Sequence, residues 1–282
     1  MMNETASSDY QLPVYRVRAC NTSADSDNKI HDDKVAAEYG FRGGLVPGVT
    51  IYAYMTVPLV ARFGKDWLER GSMQVKFHQP FYEGEQVVVR AEVVADSDPL
   101  QVAVRAERDE GVACATALAT VNDLSPWLGE PKIEDYPVTA LPEADARPEA
   151  TSENIKAGIA LGTLVEKLDL SHVEKTLLVQ IDELLPLYQG RDALAHPIVL
   201  LSMANYILMS NYKLGPWIHA ASDLKNWSAA RDGEELSMRG RISDCFERKG
   251  HEFAVLDLLL VANGERIVQQ VRHTAIYRPR RA

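Results

Sequence analysis

Apolar positions along this chain fall into two kinds of pattern. From Val49 to Phe63 the run VTIYAYMTVPLVARF is apolar almost all round, which predicts a helix buried on every side. Pro58 inside it predicts a kink or an early end, because proline lacks an N–H and clashes with the preceding turn. The segments around this run alternate instead. Pro13 to Asn21 (PVYRVRACN) reads as a half-buried strand. Four more strands are predicted at Ser72 to Phe81, Gln86 to Val94, Leu100 to Glu107 and Ala113 to Val121. Turns at Gly84, at Asp96-Ser97-Asp98-Pro99 and at Asp109-Glu110-Gly111 separate them. An antiparallel sheet that must cover a hydrophobic helix is an α+β layer arrangement.

The pattern then recurs. Gly162 to Ser171 falls on Pro13 to Thr22 at an offset of 149, since 162 − 13 = 149. At that offset Asp182 falls on Asp33, Tyr188 on Tyr39, His196 on Pro47 and Pro197 on Gly48. The buried run Ile198 to Tyr212 falls on Val49 to Phe63, and Gly233-Glu234 on Gly84-Glu85. Further strands are predicted at Leu236 to Ile242, Glu252 to Val261 and Arg266 to Tyr277. Between the copies, Pro126, Pro131, Pro137, Pro142 and Pro148 mark a semi-extended connector, with Trp127 and Leu128 expected to pack on a domain. The organisation read from this is a unit at residues 1–122, a connector at 123–155 and a second unit at 156–282.

Composition narrows the function. The 282 residues are 46% hydrophobic and 25% charged, ordinary for a globular protein. A net charge of −10 and a pI near 5.2 argue against binding to nucleic acid or a membrane surface. Cys20, Cys114 and Cys245 make neither a metal motif nor an even disulfide framework, which points to a reducing, cytoplasmic compartment. The opening MMNETASSDY lacks the basic and apolar regions of a signal peptide. The longest apolar run, Ile198 to Met209, is too short to span a bilayer. The sequence has no CxxC, HExxH or GxGxxG, so no metal or redox cofactor is expected.

Candidate chemistry concentrates between Asn21 and Gly48. His31 is flanked by Asp25, Asp27, Asp32 and Asp33. A short helix follows, Asp33 to Tyr39, with Asp33 as its cap and Gly40 as its stop. Gly43, Gly44, Pro47 and Gly48 then form a loop that ends where the buried helix begins. A helix start offers unpaired N–H groups and the positive end of the dipole, which suits negative charge developing on oxygen. The loop can fold His31 back toward that start. His78 and His196 are read as structural. The Arg278, Arg280 and Arg281 end is read as a solvated tail or a contact for phosphates.

This stretch resembles the motif of the MaoC-like, (R)-specific enoyl-CoA hydratases, Asp-x-Asn-Pro-(aliphatic)-His followed by a helix, Gly-Phe and a central helix. Here it reads Ser26-Asp27-Asn28-Lys29-Ile30-His31, Gly40-Phe41 and Pro47-Gly48, with Phe77 to Glu85 similar to the family's following strand and turn. The family's Asp falls on Ser26 and its Pro on Lys29. The resemblance implies two hot dog units, each an antiparallel sheet wrapped around a central helix, packed as a pseudo-dimer. Two such chains can pair as a homodimer. It implies hydration or dehydration of 2-enoyl and 3-hydroxyacyl thioesters carried on CoA or acyl carrier protein, without a cofactor. His31 would be the base, the Gly48 N–H the oxyanion donor, and Asn28 would orient the water or the loop. Ser26 stands at the position of the catalytic carboxylate, with Asp25 and Asp27 beside it. His31 falls on Gln180 at the repeat offset, so one site per chain is expected, with the helix at Ile198 to Tyr212 as the far wall of its acyl tunnel. Thioester hydrolysis through Asp25, Asp27 or Asp33, and a noncatalytic acyl-binding or assembly role, are the alternatives.

Overall fold

The structure, a computed structural model, describes residues 11–108, 111–122, 131–182 and 185–282. Trp127 and Leu128, the Asp109-Glu110 part of one expected turn and the first ten residues lie outside the described residues. The first half runs β1 (Tyr15–Arg18), α1 (Asp33–Glu38), α2 (Gly48–Arg70), β2 (Ser72–Phe77), β3 (Gln86–Val93), β4 (Gln101–Glu107) and β5 (Ala113–Thr120). The second runs β6 (Ala160–Lys167), α3 (Leu170–Ile181), α4 (Pro197–Asn211), β7 (Ile218–Asn226), β8 (Glu235–Arg248), β9 (His251–Ala262) and β10 (Arg266–Arg278).

The ten strands of the described residues form one antiparallel sheet in the order β1-β3-β4-β5-β2-β7-β10-β9-β8-β6. Each half has the same internal order, and the halves meet at β2 and β7. Ser72 pairs with Lys225 and Lys76 with Ala221; 225 − 76 = 149 and 221 − 72 = 149. The seam is therefore a pseudo-two-fold, and its register repeats the spacing seen in the sequence. This is a double hot dog fold.

α2 and α4 are the two buried helices. Tyr52, Ala53, Tyr54, Met55 and Leu59 are fully covered in α2, as are Leu201, Ala204, Ile207 and Leu208 in α4. Each large apolar side chain so covered contributes about 1.5–3 kcal/mol relative to exposure. Pro58 does not end α2. The helix continues through it and breaks only at Gly64, whose φ of 57° and ψ of −136° are open to glycine alone. β2 stops at Phe77, earlier than the pattern predicts, because His78 and Gln79 both donate to the Cys114 carbonyl, at 2.8 and 3.1 Å.

Two elements carry no expectation from the pattern. Most of the buried positions in β7 are polar: His219, Ser222, Lys225 and Asn226 are covered there beside Leu224. α3 follows β6 directly, with Asp169 accepting from the Ser171 N–H at its start. The Tyr15 hydroxyl donates to the Ile181 carbonyl at the end of α3, a further tie between the halves. In the described part of the connector, Tyr136 is buried against Leu259 and Val261, and Ile155 is buried in the main core.

Candidate active site

After β1 the chain makes a single 3-10 turn at Lys29–His31, which the Asn28 side chain caps by accepting from the Ile30 N–H at 3.4 Å. Ile30 is buried with Ala36 and Leu45 in a small apolar cluster that anchors the loop. The Asn21 amide donates to the His31 carbonyl at 2.9 Å, and the Leu45 N–H donates to the Ile30 carbonyl at 3.2 Å. A Cβ at Gly44 would lie 2.0 Å from the His31 carbonyl oxygen, so glycine is what lets the loop close this tightly. The cap of α1 is Asp32, accepting from the Lys34 and Val35 N–H groups, and not Asp33. The Asp33 carboxylate instead accepts the Gly44 N–H at 2.7 Å and fastens the loop.

These contacts fix the His31 ring. Its Nδ1 lies 2.6 Å from the Leu45 carbonyl, which can only accept, so Nδ1 carries the proton and Nε2 presents a lone pair. Asn28 Nδ2 stands 3.3 Å from Nε2 as a donor. Burial pushes the His31 pKa down, against a smaller opposing effect of the Leu45 bond. A neutral ring near neutrality is the form a general base needs. Asn28 also accepts from the Trp217 N–H at 3.1 Å and donates to its carbonyl at 3.0 Å. It bolts the His31 loop to the second half of the chain, next to β7.

α2 begins at Gly48 with Pro47 before it, and no side chain caps the start. Thr50 and Ile51 donate to the Pro47 carbonyl, so the Gly48 and Val49 N–H groups precede the first intrahelical bonds. Gly48 has no left-handed φ. Its requirement is space: a Cβ there would lie 2.9 Å from His219 Nδ1.

His31, Asn28 and Gly48 line one cavity of about 240 Å³. Its first-half wall continues through Phe77 to Phe81. Its far wall is mainly β7, through Ile218, His219 and Ala220, with Trp217 just before it; α4, the expected source, supplies Asn205. His219 is the main residue that sequence reasoning missed. Most of the buried positions of its strand are polar, and it does not alternate as a recognisable strand should. His78, read as structural, also lines the cavity while its Nε2 lies 2.7 Å from Thr116 Oγ1. His196 is structural, accepting the Ile198 N–H at the start of α4.

The acidic candidates stand apart. Ser26 donates toward the Asn28 carbonyl at 3.4 Å and does not line the cavity. Asp25 and Asp27 are exposed, and Asp33 is engaged with Gly44. Among the described residues no Asp or Glu lines this cavity, and no three His, Cys, Asp or Glu side chains gather as a metal site. The Arg-rich end is not a free tail. The Arg280 N–H donates to His251 Nδ1 at 3.0 Å, His251 lines the cavity, and Arg281 approaches Glu38 at 3.8 Å. Gln180 is buried and lines a separate cavity beside α4. Among the described residues no helix is long and apolar enough to cross a membrane.

No family model matches the sequence, and no curated protein matches it. Solved structures do. A protein described as a MaoC domain dehydratase from Chloroflexus aurantiacus J-10-fl superposes with a TM-score of 0.64 at 9% identity, over 99% of this chain and 100% of that one. A MaoC-like dehydratase gives 0.60 at 13% identity, over 95% and 97% of the two chains. A conserved Mycobacterium tuberculosis protein with a double hotdog fold gives 0.59 at 14%, over 94% and 96%. At these identities the likeness is one of fold.

Proposed function

We propose that the protein is a hydratase or dehydratase of 2-enoyl and 3-hydroxyacyl thioesters carried on CoA or acyl carrier protein. The observation that carries this reading is that His31, with its proton held on Nδ1 by the Leu45 carbonyl, lines the same cavity as the uncapped start of α2. As water adds to C3 of the enoyl group, Nε2 takes one of its protons. The thioester oxygen gains negative charge as the enolate forms, and the Gly48 N–H and the helix dipole favour it there. The proton on Nε2 then passes to C2. Water is thereby split between C3 and C2, and His31 returns to its starting form. Throughout, Nδ1–H stays on the Leu45 carbonyl, which holds the ring and eases its transient positive charge. One base on one face makes this a syn addition.

The double hot dog fold shared with MaoC-like dehydratases supports this reading, as do the residues of the motif. It does not need a carboxylate at Ser26. Hydrolysis is less well supported, because Asp25, Asp27 and Asp33 are all directed elsewhere. Arg280, whose backbone N–H bonds the cavity residue His251, and the exposed Arg281 beside it are the candidates to meet the phosphates of the carrier. The test is to incubate the protein with crotonyl-CoA and follow enoyl absorbance and free thiol in parallel. Loss of absorbance without thiol supports hydration. Thiol release with the enoyl group intact would replace it with hydrolysis.

A further inference from the structure

We propose that His219, supplied by the second half of the chain, is a second hydrogen-bond donor to the thioester oxygen, standing beside the Gly48 N–H. The inference rests on the reading of the cavity as an acyl-thioester site and adds a residue from the opposite half to it.

The first observation is position. His219 lines the cavity, and its Nδ1 is the nearest atom to a side chain placed on Gly48. The absence of a side chain at Gly48 is what lets that nitrogen lie against the helix start. The second is an unmet bond. His219 is buried, yet its Nδ1 has no hydrogen-bond partner. Buried polar nitrogens are nearly always paired, so one without a partner in a residue that lines the cavity calls for an atom that reaches it when the site is filled.

The third observation is what lies behind the ring. His219 Nε2 is 2.8 Å from Ser222 Oγ, and Ser222 Oγ is 3.0 Å from His273 Nδ1. A hydroxyl has one proton. In the proposed arrangement His273 Nδ1–H donates to Ser222 and Ser222 donates to His219 Nε2, which places the His219 proton on Nδ1, toward Gly48. Burial, with the neighbouring His273 ring adding to it and a backbone bond to Ala221 opposing it, holds His219 well below the usual histidine range. His273 is itself pushed to about 3 by burial. The ring is thus neutral, and in this tautomer it is a donor. The repeat offset puts Arg70, an exposed residue, where the first half would have to supply such a histidine to the start of α4, since 219 − 149 = 70.

The experiment binds butyryl-CoA, labelled with ¹³C at its thioester carbonyl, to the wild type, His219→Leu and His219→Asn. The infrared carbonyl stretch is read, since it falls as donors polarise the bond. The asparagine amide can place an N–H near where Nδ1–H stood; leucine cannot. The expected result is a lowered stretch in the wild type, largely kept in H219N and largely lost in H219L. On crotonyl-CoA, H219L should lose about 10²–10³ in kcat with little change in KM, as for removal of one oxyanion donor. H219N should recover part of it. An unchanged stretch and kcat in H219L overturns the proposal. So does equal impairment of both variants, which would assign His219 to packing; thermal unfolding of each identifies a folding defect. Failure of the wild type to hydrate crotonyl-CoA, with a His219-dependent stretch intact, removes the hydratase reading and leaves the donor pair standing. A wild type that binds no butyryl-CoA removes both.

Discussion

The two buried helices begin in opposite ways. At α2, Pro47 offers no side-chain cap and Gly48 leaves its N–H ahead of the first intrahelical bond. At α4 the buried His196 ring accepts the Ile198 N–H at 3.1 Å, and Pro197, at the repeat position of Gly48, has no N–H to give. His31 at the first start is matched by Gln180 near the second. Burial pushes His196 to about 3, so it stays a neutral acceptor and holds that start shut. The repeated fold has two helix termini with the same dipole, and on the proposed reading only the first has the groups to use it. A helix start is chemically useful only where nothing inside the protein has already satisfied it.

The largest expected effect breaks the open start from the side of the base. His31→Ala should lower crotonyl-CoA hydration by about 10²–10⁴ in kcat, measured by enoyl absorbance. In the wild type the same assay should show kcat/KM falling only on the acid side of 6.5, because burial lowers the His31 pKa and the neutral ring is the active form. Stability shares that direction. His196 and His273, near 3 when folded, bind protons more readily in the unfolded chain. Their contribution is full above 6.5 and is lost as the pH falls toward 3.

Removing the helix-start donor comes next. Gly48→Ala and Gly48→Pro both place a Cβ against His219, but only the proline also removes the N–H. Gly48→Pro should therefore lose a further factor of about 10²–10³ in kcat beyond Gly48→Ala. Equal losses would show that crowding of His219, and not the donor, is what matters.

Asn28→Ala should cost about 1–3 kcal/mol in denaturant unfolding, because it leaves buried Trp217 backbone groups without partners. It should also raise KM, since the bolt that seats the His31 loop on β7 is gone. The smallest effect is expected at the closed start. Gln180 is buried with its Oε1 unpaired, so Gln180→Leu should leave turnover unchanged and stability within about 1 kcal/mol. Loss of turnover there would mean that the second start takes part after all.

Much of this was legible in the sequence for a physical reason. α2 and α4 are covered on all sides, so their apolar runs are unbroken, and the strands of the first half have one buried face and alternate. The 149-residue offset reappears as the register of β2 on β7. β7 itself was not legible. It lies at the seam between the halves, where buried His219, Ser222, Lys225 and Asn226 bond to one another and to neighbouring groups, and such a strand has no apolar period. His31, Asn28 and Gly48 could be picked out by motif and do share a cavity. The partners that set their geometry, Leu45 and Trp217, are 14 and 189 residues from His31 and Asn28, and no local pattern marks them. The replacement of the expected carboxylate by Ser26 could be read; that Asp25 and Asp27 do not turn inward in its place needed the loop's path.

The central claim is a single acyl-thioester site per chain, built at the α2 start with β7 as its far wall. Calorimetric titration with butyryl-CoA, a saturated thioester that cannot be hydrated, tests it most directly. One molecule should bind per chain, with affinity reduced by Gly48→Pro and unchanged by Gln180→Leu. Two equivalent sites per chain, or a single site that Gln180→Leu weakens and Gly48→Pro does not, would contradict it.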